Sequence, residues 1–410
     1  MKEASAVGSI RVMKFGGSSL AGPQQRDGAA NRVLAALKDG YRVAIVVSAM
    51  GRRPDPYATD TLLELAPDAH AGPNRDLLAA SGEIVSAAVF AATLERFGVR
   101  ARALTGWQAG ILTDGAHGDA HVLHVERGVI QELLAHDITP VVCGFQGVDR
   151  DGAITTLGRG GSDLTAVAIA RALGGAALDI YTDVDGVMTA DPRRVPSAQT
   201  IPNLTFEEVT ELSQHGATVM HGKAADLARI AHLPYTVLGL RSGTGTKVGT
   251  TDAPEPAGPV TGVTASFGFT FMHLVPDAAV LPGGWEQDAF RVLAEANISI
   301  DCVNVNSAGL FFIVRDADVK HAQECLGPLP LAVRTRPDCA KISAVGAGMR
   351  GTPGVMYACV RALSAAGVPI VHSTDSHITI SLLVPAGRAA AAESALHQHF
   401  SLGAPREEHS

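Results

Sequence analysis

Within Thr155-Thr156-Leu157-Gly158-Arg159-Gly160-Gly161-Ser162-Asp163 the chain sets one cation, three glycines, a hydroxyl and a carboxylate side by side. The segment Asp163 to Leu173 then carries apolar residues at helical spacing (Leu164, Val167, Ala168, Leu173), with Gly174-Gly175 as its stop. A glycine-rich turn feeding a helix offers unpaired backbone N–H groups and the positive end of the helix dipole, which suits phosphate or carboxylate. Arg159 adds a bidentate fork for an anion, and Asp163 a group that orients a cation or metal. The same residues also suit a tight loop in which Ser162 or Asp163 caps the helix.

Three further clusters carry chemistry. Lys14-Phe15-Gly16-Gly17-Ser18-Ser19 puts a lysine at a strand end beside a glycine turn, where it can bridge donor and acceptor phosphates as charge shifts during transfer. No G-x-x-x-x-G-K-[ST] occurs, which excludes a P-loop kinase. In Ser81-Gly82-Glu83 the glycine interrupts a good helical pattern at a cost of up to ~1 kcal/mol relative to alanine, so close approach by a ligand or by backbone is its motive. Glu83 beside it suits a substrate ammonium. Thr182-Asp183-Val184-Asp185-Gly186 through Arg193 closes a strand with a polar loop suited to a nucleotide and its Mg²⁺.

The elements that position these groups alternate. Strand Ile10–Phe15, helix Gln24–Lys38, strand Tyr41–Val47, helix Asn74–Phe97, strand Arg100–Thr105, helix Val125–Ala135, strand Pro140–Phe145 and strand Ala177–Tyr181 follow from periodicity and glycine stops. This order predicts an α/β fold, a mostly parallel sheet with helices on both faces, and ligands at the carboxyl ends of its strands. Lys14, Ser48, the glycine-rich turn and Asp183 all fall at such ends, which argues for one shared site.

Arg241–Pro259, rich in Gly, Thr and Pro, marks a boundary. Beyond it two similar units follow. One has helix Trp285–Ala296, strands Ser299–Val305 and Gly309–Val314 and helix Val319–Cys325; the other has strand Ala340–Val345, helix Gly354–Ala365, strands Pro369–Ser373 and His377–Val384 and helix Ala389–Phe400. Glu295-Ala296-Asn297-Ile298-Ser299-Ile300 and Ala365-Ala366-Gly367-Val368-Pro369-Ile370 are the matching phrases. Such α+β sandwiches pair edge to edge and hold small ligands at the seam. The expected domains are residues 9–250, 260–336 and 338–403, with 260–266 completing the last.

Composition agrees with a metabolic enzyme. At 410 residues, with 46% hydrophobic and 18% charged residues, the chain has core enough for two or three domains. A net charge of -8 and no Lys/Arg-rich run argue against a nucleic-acid surface. Apolar runs such as Val43–Val47 are strand-length, so no membrane association is expected. The five cysteines form no C-x-x-C pair and read as buried, reduced thiols, and the N-terminus lacks a long apolar stretch, which places the protein in the cytoplasm.

The series Lys14-Phe-Gly-Gly-Ser-Ser, Val47-Ser-Ala-Met-Gly, Ser81-Gly-Glu, Leu104-Thr-Gly-Trp-Gln-Ala-Gly, Gly144-Phe-Gln-Gly, Thr155 to Asp163 and Tyr181-Thr-Asp-Val-Asp-Gly resembles aspartate kinase, an amino-acid-kinase-fold enzyme with C-terminal ACT domains. The likeness covers essentially the whole chain. Gly51 to Asp60 and Ser373-Thr-Asp-Ser-His most resemble the diaminopimelate-sensitive bacterial isozyme.

The resemblance implies phosphoryl transfer from ATP, with Mg²⁺ bound mainly through its phosphates, to the side-chain carboxylate of L-aspartate. It implies Lys14 and Asp163 as catalytic residues, Arg159 on the substrate α-carboxylate, Glu83 on its ammonium, and Ser48, Thr59 and Ser162 in support. Backbone at Gly16, Gly17, Gly160 and Gly161 would line the phosphate path, and Thr182, Asp183, Met188, Asp191, Arg193 and Lys223 would bind nucleotide. Asn304, Asn306, Ser373 and Asp375 would take a regulatory amino acid (lysine, threonine or diaminopimelate) in a homodimer paired through the ACT domains.

Where the family usually reads Gly-Ala-Lys-Val-Leu-His-Pro-Arg, this chain has Gly216-Ala217-Thr218-Val219-Met220-His221-Gly222-Lys223. Those changes leave two alternatives open. One is a same-fold kinase for another amino-acid carboxylate; the other is a non-catalytic amino-acid sensor.

Overall fold

The computed structural model describes residues 9–216, 220–249, 258–277 and 284–404. Thr218 and residues 250–257 of the expected boundary lie outside them. The chain falls into two units: the first is Met1–Val187, Thr200–Gln214 and Thr218–Pro254, the second Met188–Gln199, His215–Ala217 and Glu255–Ser410.

The first unit runs β1 (Ile10–Phe15), α1 (Gly17–Leu20), α2 (Pro23–Lys38), β2 (Arg42–Val47), α3 (Thr59–Leu63), α4 (Pro73–Arg96), β3 (Ala101–Leu104), β4 (Ile111–Thr113), β5 (Val122–Val125), α5 (Gly128–Ala135), β6 (Thr139–Cys143), β7 (Gln146–Val148) and β8 (Ile154–Thr156). It continues α6 (Gly161–Ala172), β9 (Ala177–Thr182), β10 (Asn203–Leu204), α7 (Phe206–Gln214), α8 (Gly222–Ile230), β11 (Tyr235–Gly239) and β12 (Gly245–Val248). An eight-stranded sheet has the order β10-β12-β11-β9-β1-β2-β6-β3. Every pair in it is parallel except β11 with β12.

Central parallel strands are covered on both faces, so they read as apolar runs. β2 is buried from Val43 to Val47. Alternation along β1 divides the two faces: Met13 and Phe15 join the core under α2 and α4, with Ala30, Val33, Phe90 and Leu94, while Lys14 turns to the opposite face, where α6 packs. That single alternation places a lysine against a helix N-terminus.

A second sheet, order β5-β4-β7-β8, accompanies the first. It corrects the reading of Val125–Ala135 as one helix. Val125 pairs with Ile111 across β4 and β5, and Glu126 N–H donates to Gly110 O at 2.8 Å. The ladder therefore holds the backbone extended through Glu126, and α5 begins at Gly128. Among the described residues one helix, α4, is long and apolar enough to cross a membrane, and 56% of its apolar window is buried inside the fold. Cys325 is half-exposed, unlike the other four cysteines, which are buried as expected.

The second unit holds β13 (Gly262–Pro276), α9 (Trp285–Glu295), β14 (Asp301–Asn306), β15 (Gly309–Arg315), α10 (Val319–Leu326), β16 (Leu331–Val345), α11 (Val355–Ala365), β17 (His372–Asp375), β18 (Thr379–Pro385) and α12 (Ala389–His399). Its six strands form one antiparallel sheet, order β14-β15-β13-β16-β18-β17. The long strands β13 and β16 serve two lobes. Phe269–Leu274 pair with β15, whereas Gly262–Ser266 pair with Lys341–Val345, which in turn pair with β18. Each lobe keeps its own core, one around Phe312 and Leu293, the other around Ile342 and Leu363. The strand expected at Pro369–Ser373 starts later, at His372; proline has no N–H to give a ladder.

The stretch Met188–Gln199, expected in the first domain, belongs to this unit. Arg194 forks onto Glu393 of α12 (Nε to Oε2 2.5 Å, Nη2 to Oε1 3.2 Å), and Thr189 Oγ1 meets His397 Nε2 at 2.9 Å. Glu393 is fully buried, and Asp191 holds the third guanidinium nitrogen, Nη1, at 2.8 Å.

Glu393→Ala should lower the thermal midpoint of the protein. Breaking a buried pair costs ~3–5 kcal/mol, and the remaining Asp191 contact puts this case at the low end. Calorimetry of the full chain measures it, and an unchanged midpoint would show the fork to be dispensable.

Candidate active site

The carboxyl ends of the central strands open together. Ser48 N–H donates to Phe15 O (3.1 Å), Gly16 N–H to Tyr181 O (3.3 Å) and Gly144 N–H to Val47 O (2.9 Å), so the loops after β1, β2 and β6 leave the sheet at one level. Lys14, opposite Val46 and Ile180, directs Nζ to Asp163 Oδ1 at 2.7 Å, with only 12% and 10% of the two side chains exposed.

Asp163 sits in the first turn of α6. The residue before the helix is Gly160 in the left-handed region (φ 74°), and no side chain caps the helix. The capping reading of Ser162 or Asp163 is thus corrected: Asp163 turns to Lys14 and leaves the α6 amides uncapped. A Cβ at Gly160 would stand 2.0 Å from His221 Cβ. At Gly17 it would meet Ala49 O at 2.5 Å, and at Gly161 Leu157 and Phe145 at 2.9 Å. Those glycines serve the protein's own close packing, which brings their amides to the site. Gly16 alone of the four has ordinary clearance, 3.7 Å to Lys14 Nζ.

Gly82 has the same explanation. A Cβ there would lie 2.8 Å from Ala49 Cβ and from Tyr57 O, so backbone is what approaches it. The tight fit seats Glu83 under β2, where Ala49 N–H donates to Oε1 at 2.9 Å. Oε2 is buried without a partner. Burial of the carboxyl, only partly offset by the Ala49 hydrogen bond, pushes Glu83 up from 4.5 to about 8. A buried, unmatched carboxylate is a receptor for a cation.

A cavity of about 600 Å³ brings Lys14, Ser48, Thr59, Glu83, Arg159, Ser162 and Asp163 together with backbone of Gly17, Gly160 and Gly161. Arg159 is exposed on its wall and meets no acidic side chain among the described residues. Asp183 connects through Arg52, a wall residue whose Nη2 lies 3.1 Å from Asp183 Oδ2; Thr182 Oγ1 donates to Asp183 at 3.1 Å. Lys223 pairs with Asp119, whose carboxylate crowds Gly158 on the cavity wall.

Met188, Asp191 and Arg193 belong to the second unit, where Arg193 Nε and Nη2 and Arg194 hold the Asp191 carboxylate and lower its pKa. Asn304 and Asn306 stand exposed on β14, Ser373 and Asp375 on β17, the two edges of that sheet.

Arg52 and Thr156, which fall inside the Gly51 to Asp60 and Thr155 to Asp163 motifs without an assigned role, also line the cavity, as do Arg75 and Asp76, which carry no sequence signal. An acid in a helix's first turn, such as Asp76, ordinarily reads as a dipole complement.

With this geometry in place, comparison with known proteins is decisive. The amino acid kinase family model matches residues 9–238 and an ACT domain model residues 334–398. Aspartokinase 1 of Bacillus subtilis is 38% identical over 402 residues, 96% of this chain and 99% of the relative. The chain belongs to the aspartokinase family. The Corynebacterium glutamicum aspartokinase is likewise 38% identical, over 97% of this chain and 98% of its own. Among solved aspartokinases, Escherichia coli aspartokinase III in complex with aspartate and ADP superposes with a TM-score of 0.79 at 25% identity, covering 96% of this chain and all of that one. The expected fold, a mostly parallel kinase sheet followed by ACT architecture, is confirmed by these matches.

In this family member the Glu83 carboxyl gives stability a defined pH dependence. Its folded value, about 8, lies above the ordinary 4.5, so the folded state holds the extra proton between those limits and stability falls as pH rises through them. Glu83→Gln removes that loss. Its denaturation free energy should exceed that of the unaltered protein by an increment growing at roughly 1.4 kcal/mol per pH unit between about pH 5 and 8. Urea titrations across that range test it; a constant difference would mean Glu83 ionises freely.

Proposed function

We propose that the cavity binds L-aspartate and MgATP and transfers the γ-phosphoryl group to the aspartate side-chain carboxylate, giving 4-phospho-L-aspartate and ADP. The observation that carries this reading is the arrangement of charge in one pocket. An unpartnered carboxylate oxygen (Glu83) and an unpaired guanidinium (Arg159) suit the two poles of an α-amino acid, beside a desolvated lysine held by Asp163. Aspartokinase relatives over nearly the full length support the substrate pair.

Arg159 takes the α-carboxylate by a bidentate fork, and Glu83 takes the ammonium, whose charge restores the ionised form that burial disfavours. Ser48, Thr59 and Ser162 fix the remaining polar edges. The side-chain carboxylate then attacks phosphorus in line: an O–P bond forms, the bond to the bridging oxygen breaks, and ADP leaves. Lys14 neutralises charge on the moving phosphoryl oxygens, and Asp163 holds Nζ in place. The glycine turns bearing Gly16, Gly17, Gly160 and Gly161, which lead into helices that no side chain caps, line the phosphate path.

Thr182, Asp183 and Lys223 serve the nucleotide end. No cluster of three His, Cys, Asp or Glu side chains forms among the described residues; Mg²⁺ enters with the nucleotide as part of that substrate. The ACT lobes make the enzyme responsive to lysine, threonine or diaminopimelate, bound at the edges bearing Asn304, Asn306, Ser373 and Asp375 in a dimer.

Trapping of acyl phosphate as the hydroxamate tests the reaction. The unaltered enzyme should give aspartate- and ATP-dependent product, and Lys14→Ala should lose it. Arg159→Ala should raise the aspartate KM by ~10–100-fold, the worth of a charged hydrogen bond, with the ATP KM unmoved. The wild-type aspartate KM should fall as pH approaches 8, and Glu83→Gln should flatten that profile. Absence of product from the unaltered enzyme at saturating substrates would sink the proposal.

A further inference from the structure

Asp76 lies in the first turn of α4 yet is only 1% exposed. Its carboxylate faces inward and is saturated by donors. Oδ2 accepts from Thr156 N–H (3.0 Å), Gly118 N–H (3.1 Å) and His117 Nδ1 (2.9 Å). Oδ1 accepts from Thr156 Oγ1 (2.8 Å). With those positions filled it has little to offer a substrate directly, although it borders the cavity.

What it joins is informative. α4 carries Glu83 seven residues on, two helical turns and ~10 Å further along the axis. Thr156 ends β8, and Arg159 follows three residues later in the glycine-rich turn. Gly118 precedes Asp119, whose carboxylate packs on Gly158 and pairs with Lys223. Ala120 N–H donates back to Thr156 O at 2.9 Å, so the 117–120 turn and β8 move together. One carboxylate thus ties the element bearing the ammonium receptor to the two segments that seat the guanidinium.

Resting on the reading of Glu83 and Arg159 given above, we propose that Asp76 is a positioning residue that fixes the separation of these two anchors and so sets the enzyme's selectivity for an α-amino acid. Hydrogen-bonded supports of this kind hold binding groups to productive geometry. The variants separate geometry from bulk stability. Asp76→Ala deletes the clamp. Asp76→Asn keeps it, because the amide oxygen takes the three N–H donors while Thr156 Oγ1 rotates to accept from the new NH₂.

With the full chain, Asp76→Ala should raise the aspartate KM by about tenfold or more and the ATP KM by a smaller factor, and Asp76→Asn should return the aspartate KM to within about threefold of wild type. Amide hydrogen exchange should show Gly118 and Thr156 losing protection in Asp76→Ala and keeping it in Asp76→Asn. If Asp76→Ala does not fold, Thr156→Val, which deletes one donor, should raise the aspartate KM by about threefold.

A soluble Asp76→Ala enzyme with wild-type aspartate KM and reduced Vmax would reduce Asp76 to a stability residue and overturn the proposal, as would failure of the asparagine variant to restore KM. Should the unaltered enzyme form no acyl phosphate, the assigned reaction fails by itself. The exchange comparison still decides the clamp, and unchanged protection at Gly118 and Thr156 would refute it.

Discussion

The ion pair between Lys14 and Asp163 is the contact on which the rest of the catalytic unit depends. A desolvated lysine costs several kcal/mol unless a carboxylate faces it, so β1 and α6 must meet in one register. β1 provides it by alternation, sending Met13 and Phe15 to one face and Lys14 to the other. α6 provides it by starting at a left-handed glycine that no other residue could replace against His221. Once the two charges are matched, the strand ends, the uncapped amides and the cavity walls are located with them.

The pocket around that pair leaves Glu83 short of a partner. Glu83 keeps an oxygen buried and unmatched, and burial pushes its carboxyl up to about 8. An interior polar group without a partner costs stability, and such sites are tolerated where a ligand completes them. The fold sustains this cost through the close fit of Gly82 against Ala49 and Tyr57 and through the apolar cluster that packs α4 on β1 and β2.

The C-terminal unit solves a different problem. Two small lobes of similar pattern would each have a short sheet and a thin core; sharing β13 and β16 gives them one six-stranded sheet and a common apolar junction of Phe269, Ile313, Cys339 and Leu383. Its two edge strands carry exposed polar residues, Asn304 and Asn306 on β14 beside exposed Val303 and Val305, and Ser373 and Asp375 on β17. The Arg194–Glu393 fork fastens a stretch from the middle of the chain onto the last helix of this unit.

Much of this was legible in the amino-acid order because it depends on neighbours in sequence. Lys14 beside a glycine turn, the Arg159–Asp163 run, the Gly82 interruption and the repeated C-terminal pattern are each written in consecutive residues, where dihedral preference and periodicity act. The strands of the small sheet are three or four residues long, too short for alternation to register. Asp76 looked like any first-turn acid, and nothing near Met188–Gln199 announces a partner two hundred residues away. Sequence by itself determined which chemical groups exist and which local backbone carries them. Burial and long-range pairing, which only the tertiary structure decides, left Glu83 with an unmatched buried oxygen, made Asp76 a junction and set Asp163 against Lys14 instead of at the helix cap. The physical reason is that desolvation and hydrogen-bond partnership are properties of the surroundings, and those come from residues far apart in the chain.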